Sequence, residues 1–172
     1  MGFSIVISSA VIFISLFASL AIILSITSSI YKANDAIVNS AKINSQINNT
    51  SIRISSITLD TNDRKHLIIT LNNDGKSKLF NYTYFDLIVT YDADINGNMI
   101  QVTEQLRYND SSLLEGQWTI SIRNDIVDPK ILNPNEVAII DAMLSNDIAP
   151  NGRIIVTIST DNGSIATLAI QL

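Results

Sequence analysis

The chain has no cysteine and a single histidine among its 172 residues. Without cysteine there can be no disulfide framework, no thiol nucleophile and no cysteine-ligated zinc. His66 abuts an apolar run, and no serine has a histidine and an acid arranged around it in the pattern of a catalytic triad. The six glycines are scattered singly, so a glycine-rich phosphate loop is absent as well. These absences predict a protein that is not an enzyme and that uses no metal or cofactor.

Basic residues are also scarce in this chain. Eleven Lys and Arg face 16 Asp and Glu, which gives a formal net charge of −5. A nucleic-acid-binding surface needs a basic patch to neutralise phosphates, and the sequence contains none. A nucleic-acid partner is therefore not expected.

Charged side chains are missing altogether between Phe3 and Tyr31. A helix of about 20 mostly apolar residues crosses a ~30 Å hydrocarbon layer, so this segment is long enough to span a membrane. A secretory signal has a basic start and a core of only about 7–15 apolar residues, neither of which fits. Myristoylation at Gly2 would want Ser or Thr where Val6 stands. The segment predicts an uncleaved transmembrane helix over residues 1–31.

A stripe of small polar residues runs along this predicted helix. Ser4, Ser8, Ser15 and Ser19 are spaced by four, seven and four residues, which places them within about 60° of one another around the axis. Small residues let two helices approach closely in lipid, so the stripe predicts a partner helix from a second copy or from another membrane protein. The alternative is that each hydroxyl bonds to a carbonyl one turn back in its own helix.

Two further regions follow the apolar segment. Residues 32–49 turn polar but keep apolar residues at helical intervals, so they predict a short helical stalk above the membrane. From residue 50 onward the apolar residues alternate with polar ones, which is typical of β-strands. We therefore expect a soluble β-domain over residues 50–172.

The β-domain divides into short strands separated by turn residues. Asn162-Gly163, between two alternating runs, predicts a two-residue hairpin, and Trp118 is expected in the core. Strands at this spacing, with no helical pattern among them, predict an immunoglobulin-like antiparallel sandwich of seven or eight strands. The predicted strands begin near Ile52, cover His66–Leu71 and part of Leu79–Tyr91, and continue over Met99–Tyr108, Gln117–Arg123, Val137–Leu144, Arg153–Thr160 and Ser164–Leu172.

One acidic segment partly matches the sequence pattern of a calcium-binding loop. Asp92 to Asn98 reproduces the first half of a D-x-D-x-N-G calcium loop, in which oxygens at alternate positions converge on the cation. The second half fails, because Thr103 stands where the bidentate Glu is required and Glu104 comes one residue late. A polar hairpin between Tyr91 and Met99 is the favoured interpretation.

The sequence also contains Asn-x-Ser/Thr acceptors for N-glycosylation. They recur along the part that follows the apolar segment, which favours an extracytoplasmic position for the β-domain. A chain so rich in Asn, Ser and Thr also produces such triplets by chance. The acceptors are Asn48, Asn49, Asn81, Asn109 and Asn162.

Several short motifs resemble one known family. The opening Met1-Gly-Phe-Ser4 and the run Ala10–Ser15 are similar to the start of the archaellum accessory proteins of archaea, of the F and G types. Leu67–Gly75, Leu132–Glu136 and Ile158–Gly163 resemble that family's strand-and-turn segment, its Asn-Pro-Gly-Glu turn and its late hairpin. The opening favours the F type.

The resemblance implies a stator component of the archaellum motor. Members of this family carry an anchor in the cytoplasmic membrane and a sandwich beneath the S-layer, where the F protein binds S-layer protein. It further implies a homodimer or hetero-oligomer, with pairing to a G-type accessory protein. Asn135 departs from the glycine of the family turn, which is a mild change because Asn tolerates a left-handed backbone.

A filament subunit is the rival interpretation. Archaellins and archaeal type IV pilins also join an apolar N-terminal helix to a β-domain, and their helices bundle into a fibre core. Their precursors are cleaved after a basic residue and a glycine, whereas Gly2 is preceded here by Met1 alone.

The mature N-terminus separates the stator from the filament subunit. We expect intact-mass spectrometry of the native protein to show a chain that begins at Met1 or at an unprocessed Gly2, because the basic recognition feature is missing. A mature chain that begins at Phe3 would support the filament subunit instead.

Overall fold

The computed structural model describes residues 2–172, without the side chains of residues 2–6, 8 and 46–48. Its first element is a single helix, α1, from Gly2 to Asn49. The chain forms two compact units, one ending at Asn44 and the other comprising Ser45–Leu172. The first unit contains most of α1, and the second contains the whole β-domain.

Helix α1 exposes apolar side chains all around its axis. From Ser9 to Ser45 every side chain is exposed, including Phe13 at 63% and Phe17 at 69%. This stretch is long and apolar enough, by length and composition, to cross a membrane. The helix runs without interruption through residues 31 and 32, so the division into an anchor over 1–31 and a stalk over 32–49 remains a prediction.

The end of α1 is tied to the β-domain by backbone contacts. The carbonyl oxygen of Asn49 accepts hydrogen bonds from the backbone N–H groups of Lys76 at 2.7 Å and Ser77 at 3.1 Å. A Cβ atom on Gly75 would lie 2.5 Å from the backbone nitrogen of Ser51, so the close approach of the two chain segments requires glycine here. These contacts satisfy a terminal carbonyl that has no partner inside the helix.

Eight strands form the β-domain, in agreement with the seven or eight that the sequence predicts. The alternating residues of each strand place one face toward the core. The strands are β1 (Ile52–Leu59), β2 (His66–Asn73), β3 (Asp86–Ile95), β4 (Asn98–Tyr108), β5 (Gln117–Ile122), β6 (Val137–Met143), β7 (Arg153–Ser159) and β8 (Ile165–Gln171).

The strands are arranged as two four-stranded halves. One has the order β1-β2-β6-β5 and the other β4-β3-β7-β8, each with antiparallel pairing throughout. The halves meet through a short parallel contact between β4 and β5, in which Arg107 pairs with Gln117 and Tyr108 with Trp118. This contact is the one departure from the predicted antiparallel pairing among the described strands. On the other side of the sandwich, β1 lies beside β8.

The core lies between these two halves. In β2, β6 and β7 every second residue is buried, and Trp118 is completely buried as expected. Its ring centroid lies 5.0 Å from that of Tyr108 in an edge-to-face arrangement. Burial of a large aromatic side chain is worth about 1.5–3 kcal/mol, so this end of the sandwich is stabilised by its aromatic cluster.

The predicted run Leu79–Tyr91 is only partly a strand. Tyr82–Tyr84 form a 3₁₀ turn, and β3 begins at Asp86. The buried Tyr82 hydroxyl donates to the carbonyl of Leu79 at 2.9 Å and accepts the N–H of Leu132 at 3.1 Å. These bonds hold the chain in a turn over the end of the sandwich, although Tyr and Phe favour strands.

The hairpin at Asn162-Gly163 also differs from the prediction. The last hydrogen bond between the two strands joins Thr160 to Ser164, so the loop has three residues, 161–163. Within it Gly163 has a φ of +84°, and its N–H donates to the Thr160 carbonyl at 2.9 Å. A two-residue type I′ turn needs positive φ at both central residues. That condition is met at the β3–β4 hairpin, where Asn96 has φ +53° and Gly97 φ +78°.

Asn135 occupies the left-handed backbone region, at φ +66°. We expect Asn135→Ala to lower the free energy of unfolding by about 1 kcal/mol, because a Cβ without a compensating polar group is disfavoured there. Asn135→Gly is the matched control and should not destabilise the fold. Urea unfolding of the full chain in detergent measures both, and equal losses would contradict the assignment.

Candidate partner-binding surfaces

His66 lies between two carboxylates from other parts of the chain. Its Nδ1 is 3.3 Å from Asp60 Oδ2 and its Nε2 is 3.0 Å from Asp141 Oδ1. The backbone N–H of Asn62 and then His66 lower the pKa of Asp60. The imidazole thus links β2 to the carboxylate of Asp141 on β6 and to that of Asp60 in the loop after β1. No described serine or threonine bonds to it.

The acidic segment Asp92–Asn98 forms the β3–β4 hairpin. Asp94 Oδ1 accepts the N–H of Gly97 at 2.9 Å, and Asp92 Oδ2 accepts the N–H of Arg153 at 2.9 Å. The two carboxylates therefore stabilise a turn and a neighbouring strand. Among the described residues, no group of three or more acidic or histidine side chains is placed to hold a metal ion.

The serine stripe of α1 is described only in part. The side chains of Ser4 and Ser8 lie outside the described residues. The hydroxyl of Ser15 donates to the carbonyl of Ile12 at 2.9 Å, and that of Ser19 donates to the carbonyl of Ser15 at 2.8 Å. These bonds correspond to the local alternative, and the partner helix remains a prediction.

The five glycosylation acceptors fall in different surroundings. The side chain of Asn48 lies outside the described residues, and Asn49 is exposed. The other three are partly buried, and their amide nitrogens donate hydrogen bonds. These bonds run from Asn81 to Asp161 at 3.3 Å, from Asn109 to Gln117 at 2.9 Å and from Asn162 to Thr50 at 2.5 Å. Attachment of a glycan at any of the five remains a prediction.

Two parts of the sandwich present strand edges without a neighbouring strand. The first is the outer edge of β4, which pairs with β3 along its length but with β5 only at Arg107 and Tyr108. Met99 and Ile100 lie at the start of this edge and are 59% and 47% exposed. We call the segment from Ile95 to Gln101 the hairpin tip. Exposed apolar residues on an open edge are typical of a surface that binds another protein.

The second edge belongs to β5, where it continues beyond its short contact with β4. A cleft of about 340 Å³ opens beside it, and its lining includes Phe80, whose side chain is 56% exposed. Neither surface can be predicted from the sequence, because both arise where the short pairing of β4 with β5 ends.

Two buried tyrosines hold neighbouring loops in place. The Tyr91 hydroxyl donates to Glu104 on β4 and accepts the N–H of Asn146 at 3.2 Å. Burial first, and then the hydrogen bond to Glu104, together raise the pKa of Tyr91 to about 12. Burial likewise raises the pKa of Tyr82 to about 12. Both phenols must stay neutral for the hydrogen bonds that they donate, to Glu104 and to the Leu79 carbonyl, to persist.

Comparison by sequence identifies one family. The profile of a family described as conserved flagellar protein F, immunoglobulin-like domain, matches residues 48–169. No curated protein sequence matches the chain. The matched residues comprise β1 to β7 and most of β8.

Comparison by structure finds archaeal surface appendages and their accessory proteins. The archaellum periplasmic stator protein complex FlaF and FlaG from Sulfolobus acidocaldarius is 20% identical, with 70% of this chain and 89% of that chain covered and a TM-score of 0.50. Flagellin FlaB1 from Methanocaldococcus jannaschii is 10% identical, with 71% and 89% covered and a TM-score of 0.51. The archaeal flagellum of Methanospirillum hungatei is 10% identical, with 96% and 92% covered and a TM-score of 0.63. At these identities the likeness concerns the fold.

The two buried tyrosines predict a loss of stability in alkali. In the unfolded chain tyrosine titrates near pH 10, whereas Tyr82 and Tyr91 titrate at about 12 in the fold. Their contribution is therefore fully present below about pH 10 and is lost as the pH rises through about 12. Tyr82→Phe and Tyr91→Phe should each reduce this alkaline loss, measured as the free energy of unfolding against pH.

Tyr84→Phe is the matched control for this titration. It removes the same hydroxyl from a side chain that is 72% exposed. An equal effect of all three replacements on the alkaline loss would show that burial of Tyr82 and Tyr91 is not its cause.

Proposed function

The chain belongs to the family of conserved flagellar protein F, and from this membership we propose that it is a stator component of the archaellum. In this role it holds the motor in the cell envelope by linking the cytoplasmic membrane to S-layer protein. The family match over residues 48–169 is the observation that carries the proposal.

The layout of the chain suits an element that bears load between two layers. Helix α1 exposes apolar side chains in all directions from Ser9 to Ser45, which fits a lipid-embedded anchor. In this proposal residues 1–31 are the membrane anchor, 32–49 the stalk, and 50–172 an extracytoplasmic domain. The protein is then a single-pass component of the cytoplasmic membrane.

A stator needs a firm connection where the stalk enters the domain. Asn49 is bonded through its backbone to Lys76 and Ser77, and Thr50 is 6% exposed and accepts a 2.5 Å hydrogen bond from Asn162. Load that enters along the chain at these residues would therefore be shared between β1, the turn after β2 and the β7–β8 loop. Several bonds that must break together resist force better than one.

The hairpin tip is our candidate for the S-layer contact. It combines exposed apolar side chains, at Met99 and Ile100, with an unpaired β4 edge. Strand addition on such an edge gives affinity through backbone hydrogen bonds and specificity through side chains. A G-type accessory protein is the second expected partner, because the solved complex named above joins FlaF with FlaG. The assembly would be a homodimer or hetero-oligomer.

The filament subunit remains the second candidate. The likeness to the archaeal flagellum of Methanospirillum hungatei covers 96% of this chain, including the helix, but at 10% identity it concerns the fold that both classes share. Family membership therefore favours the stator.

Binding to S-layer protein tests the proposal directly. We expect the full chain in detergent to retain purified S-layer protein from the same organism in a pull-down. Ile100→Lys should weaken this retention about tenfold or more, because a charge would replace an apolar contact at the hairpin tip. Ile165→Lys is the matched control, since Ile165 is 65% exposed on β8, away from the tip.

The pull-down has two outcomes that contradict the proposal. Absence of S-layer association at both acidic and neutral pH would count against the stator function. Retention that is weakened equally by Ile100→Lys and Ile165→Lys would leave the stator function in place and exclude the hairpin tip as its contact.

A further inference from the structure

A cleft at the β4–β5 end of the sandwich is not used by the function proposed above. Its volume is about 340 Å³. Its apolar lining includes Tyr82, Tyr108, Ile120 and Ile122, and its polar lining includes Asp110, Asp125 and Lys130. The cleft lies entirely within the β-domain.

One wall of the cleft is an open strand edge. The Arg123 N–H donates to the Val137 carbonyl at 2.9 Å, so by the register of β5 and β6 the backbone groups of Thr119 and Ser121 also bond to β6. The backbone groups of the even-numbered residues of β5 then point away from β6, toward the side where β4 lies. At Trp118 they still meet β4, because the Asn109 N–H donates to the Trp118 carbonyl at 2.8 Å.

The ladder between β4 and β5 ends there. No pair beyond Tyr108 and Trp118 is formed among the described strands, so the N–H and C=O groups of Ile120 and Ile122 face the cleft without a strand partner. Backbone groups spaced in this way match the groups of an extended peptide.

Asp125, whose carboxylate group belongs to a residue lining the cleft, has one oxygen without a hydrogen-bond partner among the described residues. Asp125 Oδ2 accepts the backbone N–H of Lys130 at 2.8 Å. Its other oxygen, Oδ1, is buried and has no hydrogen-bond partner in the described structure. Lys130 supplies only its backbone to this carboxylate, since none of the described ion pairs joins its side chain to Asp125. A buried carboxylate oxygen is costly unless a donor reaches it.

We propose that the cleft binds an extended segment of a partner protein, which adds to β5 as a strand and places a Lys or Arg side chain against Asp125. The backbone groups of Ile120 and Ile122 select an extended chain, and the ring faces of Tyr82 and Tyr108 accept an adjacent apolar side chain. Asp125 selects the basic residue. This cleft shares no lining residue with the hairpin tip, which is the candidate contact for S-layer protein.

The charges favour a different protein over a second copy of this chain. The chain carries a formal net charge of −5, so two copies of it repel each other at neutral pH. With Asp110 and Asp125 against Lys130, the charged lining also carries a net negative charge that attracts a basic segment.

A short synthetic peptide tests the site. The probe is an acetylated and amidated hexapeptide, Thr-Ile-Lys-Ile-Thr-Val, with a fluorescent label, and the protein is the full chain in detergent. We expect saturable binding by fluorescence anisotropy and shifts of the backbone amide signals of Ile120 and Ile122 in NMR spectra. The same peptide methylated at every backbone nitrogen should not bind, because it has no N–H group left to pair with a strand edge.

Substitution of the carboxylate tests the charge selection. Asp125→Asn should weaken binding about tenfold or more, since a charge-assisted hydrogen bond is lost while the acceptor for the Lys130 N–H is kept. Asp128→Asn is the matched control: it removes an acid from the same loop, where Asp128 pairs with Lys78 at 2.5 Å. Circular dichroism confirms that both variants are folded.

Three outcomes would overturn the proposal. The first is equal binding of the methylated and unmethylated peptides, which needs no variant and so does not depend on folding of a mutant. The second is equal weakening by Asp125→Asn and Asp128→Asn. The third is a homodimer in sedimentation experiments that the peptide dissociates, which would make a second copy the natural occupant.

Discussion

Helix α1 cannot be stable in water with the side chains it exposes. Each large apolar side chain left in water forgoes about 1.5–3 kcal/mol of burial free energy. Between Ser9 and Ser45 the exposed side chains include more than enough Ile, Leu, Val and Phe to exceed the ~5–15 kcal/mol stability of a typical domain. The helix must therefore be covered by lipid or by other helices. A stator anchor in lipid and a filament core of bundled helices would both cover these side chains. Helix α1 by itself therefore does not distinguish the two functions.

The β-domain is also stabilised by burial of apolar side chains, but it buries them in a core of its own. Its alternating strands bury one face each, and the core closes around Trp118 and its aromatic neighbours. Polar groups inside this core are held by specific partners, as in the contacts of Tyr82 with Leu79 and Leu132. Loops at the end of the sandwich are fixed by these hydrogen bonds, so the surfaces they frame are preorganised for binding.

Both candidate surfaces of the domain arise where strands lose their neighbours. The change of sheet between β4 and β5 leaves the outer edge of β4 unpaired on one side and the even-numbered groups of β5 unpaired on the other. Natural proteins usually cover or charge such edges, because an open edge invites pairing with another chain. Here one edge carries exposed Met99 and Ile100, and the other borders a cleft with a buried, unpartnered carboxylate oxygen. In the proposed function, two such edges at separate positions would serve two different partners.

The sequence alone determined the long apolar helix, all eight strands and the resemblance to archaellum accessory proteins, because hydrophobic periodicity and turn residues are local signals. Only the tertiary structure decided the turn at Tyr82–Tyr84, the three-residue loop that ends at Gly163, and the placement of His66 between Asp60 and Asp141. The parallel contact of β4 with β5, and with it the cleft at Asp125, also came from the fold. These features join residues far apart in the chain, and their energies depend on packing and hydrogen bonding between segments that a local pattern does not relate.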